Sequence, residues 1–365
     1  MATRADRLAE LVAEAELDSL IVGDLVRPGD SGPDAIASVR WLTGFSGTSG
    51  LAIVGAGRRE FLTDSRYTER AAAEVPAEFE RTTLKGRLVP ELAKHLSGRV
   101  GFDDSQTSVR TLAKLREAAA DGVELVPTTG LVGSLRRAKD AREVEAIAAA
   151  SGLADGVFEM LAERNLKGRT EREVKLVAEA RIRELGAEPS FPTIVASGPN
   201  GALPHAEASD REIGEGELVV IDMGAKLDGY CSDGTRTFAC GEVTGEEREV
   251  YEVVRRAQQE SLDALHVGLS GSEADAVSRI VIEEAGYGDY YGHGLGHGVG
   301  LEVHEAPRLG KTSDDVLAAG DVVTVEPGVY LPGRFGVRIE DLVAITEDGL
   351  RNLSGTAKEL RIVSS

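Results

Sequence analysis

Apolar positions in the first third of the chain change period repeatedly. In DRLAELVAEAEL (6–17) they recur every three to four residues, which predicts an amphipathic helix. In SLIVG (19–23), LAIVG (51–55) and EFLTD (60–64) they fall in short β-rich runs that predict strands, the last two separated by the turn AGRR. VPELAKHLSGRVGFDD (89–104) returns to helix and strand, and VELVPTTGLVGSLRRAKD (123–140) closes a small α/β domain. Asp140-Ala-Arg-Glu143 then forms a capping box for a long helix. Its buried stripe is Val144, Ile147, Ala148, Ser151, Ala154, Val157, Phe158 and Leu161. Thr170-Glu-Arg-Glu173 opens a second helix in the same way. Beyond Glu188 the pattern becomes strands and turns, interrupted by two further helical segments, 245–265 and 272–286. The second domain is therefore expected to be α+β, with helices in two groups around an antiparallel centre.

A chain of 365 residues suits two cores, here 1–133 and 134–365. The amphipathic, charge-bearing N-terminus lacks the apolar h-region of a signal peptide, and no segment holds eighteen apolar residues, so the expectation is a soluble cytoplasmic protein. Cys231 and Cys240 are too few for a disulfide framework and lack a zinc-type spacing. The net charge of -21 argues against nucleic acid and anionic membranes as partners. With nine lysines against 32 arginines and 4% aromatics, the acidic surplus also suits a protein kept soluble in concentrated salt.

The chemistry concentrates in a few carboxylates. An apolar strand, LVVID, runs into Asp222, and Asp233 follows eleven residues later, returned towards it by a hairpin through AKLDG. Paired carboxylates either share a proton or bind metal. VVTVEPG ends another apolar run on Glu326, and Glu340 interrupts the apolar pattern of GVRIEDLVAI. A buried glutamate needs a partner or a metal. With His297 from GHGLGHGVGLEVHE (292–305), five candidate ligands arise from four strand-like segments. Four carboxylates and an imidazole suit two divalent ions, Mn²⁺ or Co²⁺ first, Fe²⁺ or Zn²⁺ next, which together equip a site for hydrolysis. The alternating glycines 292, 294, 296, 298 and 300 predict a strand approached closely by ligands or another strand. A phosphate-cradling loop would instead need G-x-x-x-x-G-K-[ST], which is absent there.

The segments FPTIVASGPNGALPH, DGYCSDGTRTF, HGLGHGVGLEVHE, VEPGVY and GVRIEDLV, in this order, resemble the site motifs of the pita-bread metallopeptidases: prolidase, aminopeptidase P and methionine aminopeptidase. WLTGFSGTSG and FLTDSRYTERA more loosely resemble the creatinase-type N-terminal domain. Ligand spacings of 11, 64, 29 and 14 resemble prolidase and aminopeptidase P, since methionine aminopeptidase has a longer final gap and normally lacks the large N-terminal domain. Creatinase shares the fold without the ligands.

The resemblance implies a creatinase-type α/β domain followed by an α+β pita-bread domain that cleaves the Xaa-Pro bond at the N-terminus of dipeptides or short peptides. Asp222 would bind one metal, His297 and Glu326 the other, and Asp233 and Glu340 would bridge both. A hydroxide between the metals would attack the carbonyl, with Glu326 as general base and His205 and His304 stabilising the developing charge. His205, His293, His304 and Arg338 would contact substrate, Arg338 lying two residues from Glu340 and so on its strand face. Tyr330, Thr235 and Thr237 are candidate supporting donors, and His95 and His266 have no assigned role. The family also implies a homodimer. The alternatives are a pita-bread binding module without catalysis and an aminopeptidase of other specificity, such as methionine aminopeptidase.

Overall fold

A computed structural model describes residues 2–25 and 36–363; residues 1, 26–35 and 364–365, part of the two expected domain spans, lie outside the described residues. The chain divides into two compact units, Met1–Arg136 and Arg137–Ser365.

In the first unit the helix Arg4–Glu14 begins at Thr3, whose hydroxyl accepts from Asp6 N while the Asp6 carboxylate accepts from Thr3 N. A six-stranded mixed sheet runs in the order Glu80–Leu84, Arg58–Asp64, Gly50–Gly55, Ser19–Val22, Arg99–Asp103, Glu124–Thr128. Gly50–Gly55 is antiparallel to both neighbours and the remaining pairs are parallel. Ile21, Leu51, Ile53, Leu62, Val100 and Phe102 form a core with Leu92 and Leu115 of two covering helices. The strand Glu80–Leu84 escapes a search for apolar period because it is the sheet edge, where Glu80, Arg81, Thr82 and Thr83 stay wholly or partly solvated. This is the expected α/β domain.

The second unit is α+β. Its helices Ala141–Ala162, Glu171–Glu184, Gly245–Ala264 and Gly271–Glu284 all start with a capping box, on Asp140, Thr170, Thr244 and Ser270. They pack as two pairs. Val219 and Ile221 of the strand Glu217–Asp222 join Val157, Phe158, Leu161, Val174 and Ile182 of the first pair. Leu218, on the opposite face, joins Val250, Tyr251 and Val254 of the second. Successive side chains of a strand point to opposite faces, so covering both faces explains why this strand is apolar without alternation.

All pairings between named strands of this unit are antiparallel. Glu217–Asp222 lies between Ile194–Ser197 and Thr235–Cys240. A five-stranded sheet runs Glu305–Leu309, Gly296–Gly298, Val322–Val325, Asp341–Thr346, Gly349–Asn352, and Gly328–Leu331 pairs with Phe335–Arg338 as a ribbon.

Three local expectations change. Within AKLDG, Ala225–Leu227 is itself a strand; the turn is Asp228-Gly229, with φ of 47° and 85° as a primed two-residue hairpin requires. The glycine-rich run is a strand only over Gly296–Gly298, with a bulge between His297 and Gly298. Glu340 is not inside a strand: it sits between Phe335–Arg338 and Asp341–Thr346, where the chain leaves the ribbon for the five-stranded sheet.

Candidate metal centre

Each acidic side chain stands where a strand stops. Asp222 ends Glu217–Asp222 and is in register with Thr235, so Asp233 arrives opposite it just before the partner strand begins. Glu326 follows Val322–Val325, its amide donating to Leu295 O, and the Glu340 amide donates to Thr235 O. Strand ends suit ligands because the backbone ladder holds the residue on one side while its side chain leaves the sheet.

Oxygens of Asp222, Asp233 and Glu340 all lie within 4.8 Å of one another. His297 Nε2 lies 3.6 Å from Asp233 Oδ2 and 3.4 Å from Glu326 Oε1, so the five predicted ligands converge. His297 Nδ1 is 3.1 Å from Gly298 O, a group that can only accept; the ring proton is therefore on Nδ1, and Nε2 turns its lone pair to the carboxylates.

At an effective dielectric of about 20, unit charges about 5 Å apart repel by about 3 kcal/mol. Burial, then the charges of Glu340, Asp222 and Glu326, pushes Asp233 well above the ordinary carboxylate range. Burial, then Glu326 and Asp222, does the same to Glu340, and burial raises Glu326. Burial lowers His293, His297 and His304, keeping them neutral at neutral pH. The cluster thus holds more negative charge than its surroundings compensate. Asp222 Oδ1 is buried with no hydrogen-bond partner among the described residues. Hard oxygens, one imidazole lone pair and an orphaned carboxylate oxygen fit divalent cations.

Arg338, 4% exposed, joins the cluster to the ribbon. It donates through Nη2 to Asp222 Oδ2 (2.6 Å), through Nε to Thr235 Oγ1 (3.0 Å), and through Nη1 to Tyr330 Oη (2.8 Å) and Pro204 O (3.2 Å). The Thr235 hydroxyl in turn donates to Glu340 Oε2 at 2.7 Å. Arg338 and Glu340 therefore meet through Thr235, although the strand that would have put them on one face is broken between them. Thr237 Oγ1 donates to Arg338 O and accepts from Arg338 N. Tyr330, whose hydroxyl burial pushes up to about 12, donates to His293 Nε2 at 2.9 Å, because His293 Nδ1 donates to Gly294 O at 2.8 Å.

His304 stacks obliquely on His297, ring centroids 4.3 Å apart. His205 is exposed on the loop after Gly198–Ala202, and after burial and nearer groups it contributes to the lowering of His304. His95 bonds Glu60 in the first unit, and His266 bonds Ala264 O.

Close approach explains four of the five alternating glycines, three of them pressed on by backbone and Gly300 by a side chain. A Cβ on Gly296 would lie 2.0 Å from Thr324 O, on Gly298 2.2 Å from Ala306 O, on Gly294 2.6 Å from Leu309 O, and on Gly300 2.6 Å from the Glu305 carboxylate.

Sequence reasoning missed several supporting residues. Thr324 accepts from His297 N at 3.0 Å and donates to Glu326 at 3.1 Å; its hydroxyl in an apolar strand, two residues before Glu326, was the available signal. Arg236, 3% exposed, donates to Glu340 O and to Asp341 Oδ1 (2.8 Å), fixing the backbone on which Glu340 sits. Arg279 donates to the carbonyls of Tyr291 (3.0 Å) and His293, while its ion-pair partner Asp275 accepts from Leu295 N (2.9 Å).

Comparison with known proteins adds three findings. A family model described as metallopeptidase family M24 matches residues 145–347, and one described as creatinase/prolidase N-terminal domain matches residues 4–138. An Xaa-Pro dipeptidase of Pyrococcus furiosus is 46% identical over 231 residues, 63% of this chain and 66% of that protein. Among solved structures, an Xaa-Pro dipeptidase from Bacillus anthracis superposes with a TM-score of 0.92 at 38% identity, covering 98% of this chain and 99% of the other. An X-Pro aminopeptidase from Thermotoga maritima gives 0.89 at 34%, covering 98% and 100%.

Proposed function

This chain belongs to metallopeptidase family M24, and on that premise we propose that it hydrolyses the Xaa-Pro bond at the N-terminus of dipeptides or short peptides. The observation that carries the reading is the convergence of Asp222, Asp233, His297, Glu326 and Glu340, with the orphaned Asp222 Oδ1 among them. A binding module without catalysis has no use for so much buried, uncompensated charge.

Asp222, Asp233, His297, Glu326 and Glu340 would hold two divalent cations, Mn²⁺ or Co²⁺ first. When bound, these supply Lewis acidity towards a carbonyl oxygen and a hydrolytic water. Glu326 takes the proton of the attacking water on the carboxylate oxygen that Thr324 does not hold, and delivers it to the departing nitrogen. His205, near enough to His304 to act on it electrostatically, and the neutral His304 would donate to the carbonyl oxygen as charge builds there. Arg338 fixes Asp222 and, through Pro204 O, the loop of His205. With both ring nitrogens bonded to the protein, His293 would meet substrate through its ring and hold Tyr330 in place.

Similarity to both an Xaa-Pro dipeptidase and an X-Pro aminopeptidase leaves two substrate lengths to separate. The test offers the purified protein, with Mn²⁺ or Co²⁺ at low and multimolar salt, an Xaa-Pro dipeptide, an Xaa-Pro-Yaa tripeptide and a methionyl peptide. Metal-dependent release from the first two is expected, and no release from any of them would sink the peptidase reading. The salt arm tests whether the charge of -21 reflects a saline habitat. Both cysteines are buried thiols, which supports placing the enzyme in the reducing cytoplasm. Among the described residues no helix is long and apolar enough to cross a membrane.

A further inference from the structure

Outside the metal cluster, a fully buried carboxylate that accepts six hydrogen bonds belongs to Glu171, the first residue of the helix Glu171–Glu184. Its Oε1 accepts from Ser197 N (2.8 Å), Ser197 Oγ (2.9 Å) and Asn200 Nδ2 (3.1 Å). Its Oε2 accepts from Ser209 Oγ (2.7 Å), Ser209 N (3.1 Å) and Asn200 Nδ2 (3.0 Å). Ser197 and Ser209 bracket the loop that carries His205, and Asn200 lies within it. One carboxylate therefore ties the two ends of the loop together. The helix terminus reinforces the clamp, with Glu171 N donating to Arg211 O and Arg172 N to Ser209 O.

The far side of the loop is held by shape. Gly201 presses on Gly336 so closely that a Cβ on Gly336 would meet Gly201 O at 2.0 Å, and Pro204 O accepts from Arg338. Between these supports His205 itself is exposed, and among the described residues no side-chain hydrogen bond fixes it. Its aim depends on the loop.

We propose that Glu171 is a positioning residue: by clamping Ser197, Asn200 and Ser209 it sets the 198–208 loop so that His205 faces the carboxylate cluster. This rests on the peptidase reading for the role of His205. It does not involve the five metal-binding candidates, none of which Glu171 touches. A burial requirement alone would not call for a charge here, and removing one acceptor leaves several donors of the loop unpaired.

The experiment compares wild type, Glu171→Gln, His205→Ala and the double variant as the full-length, metal-loaded protein. Hydrogen exchange across 198–209 should quicken about tenfold or more in Glu171→Gln, with exchange in 217–240 and 322–346 and bound metal unchanged. On an Xaa-Pro substrate kcat/KM should fall about 100-fold in the wild-type background, the scale of a misplaced contact, but less than about 3-fold once His205 is alanine. Equal losses in both backgrounds, or unchanged exchange in the loop, would overturn the proposal. Should Glu171→Gln fail to fold, Ser209→Ala removes one donor and must give the same pattern at smaller size. A wild type that cleaves no peptide defeats the peptidase reading, while the exchange measurement still decides whether Glu171 holds the loop.

Discussion

Arg338 holds one oxygen of Asp222, Oδ2 at 2.6 Å, and leaves the other, Oδ1, buried without a hydrogen-bond partner among the described residues. The carboxylate is thus oriented by a cation that does not use up its ligand atom. Lysine carries the same charge without the fork that reaches Asp222, Thr235 and Tyr330 together. Arg338→Lys is therefore expected to keep the fold and lose about 10- to 100-fold in kcat/KM or metal affinity, read by steady-state kinetics and metal titration. Wild-type values for both would remove this role.

The general base has a separate test. Glu326→Gln keeps the shape and the bond from Thr324 but cannot accept a proton, so turnover should drop by about 10²- to 10⁴-fold with the thermal transition retained. Full activity in this variant would remove Glu326 from the chemistry.

Asp233, Glu340 and Glu326 all have pKa values raised in the folded protein above ordinary values of 3.8 and 4.5. For an acid raised on folding, the contribution to stability is present below the unfolded value and is lost as pH rises through the folded one. Because His293, His297 and His304 are lowered and act with the opposite sign around 6.5, the slope is read as a difference. From pH 6 to pH 8 chelator-treated wild type should lose Tm relative to chelator-treated Glu340→Gln, whose amide cannot ionise. Added Mn²⁺ should raise Tm, and by more at pH 8, because it competes with fewer protons. Calorimetry showing the opposite difference for the metal-free proteins would contradict the charge assignment.

Gly296→Ala places a Cβ 2.0 Å from Thr324 O, between two strands that both carry site residues, and should cost about 1–3 kcal/mol with weakened metal binding. Gly292→Ala meets nothing within 4 Å and should change stability by no more than about 0.5 kcal/mol. Urea melts of the two variants check the contrast.

Much of the site was legible in the residues because its ligands break strong patterns. Asp222 and Glu326 stop apolar runs, and Glu340 interrupts an apolar pattern that the structure divides between two strands, so the cost of burying them is visible before any fold is known. The capping boxes on Asp140 and Thr170 marked the first two helices of the second unit for a similar local reason, whereas those on Thr244 and Ser270 emerged only with the structure. Glu171 was not visible in this way. As the residue after a threonine cap it reads as an ordinary acid in a first helical turn, and its partners lie 26 to 38 residues away. Arg236 is likewise one charge in a strand until the partners that surround it, 104 or more residues distant, are brought in.

The sequence by itself determined the α/β and α+β character of the two units, the family resemblance and the identity of the five clustered side chains, since period, capping and buried charge are local properties. Tertiary structure alone decided how the ligands meet: the crossing of Glu340 from ribbon to sheet, the proton on His297 Nδ1, the bonding of both His293 nitrogens, and the clamp of Glu171 on the His205 loop. Those relations depend on which distant backbone a side chain reaches, and a one-dimensional pattern carries no information about that distance.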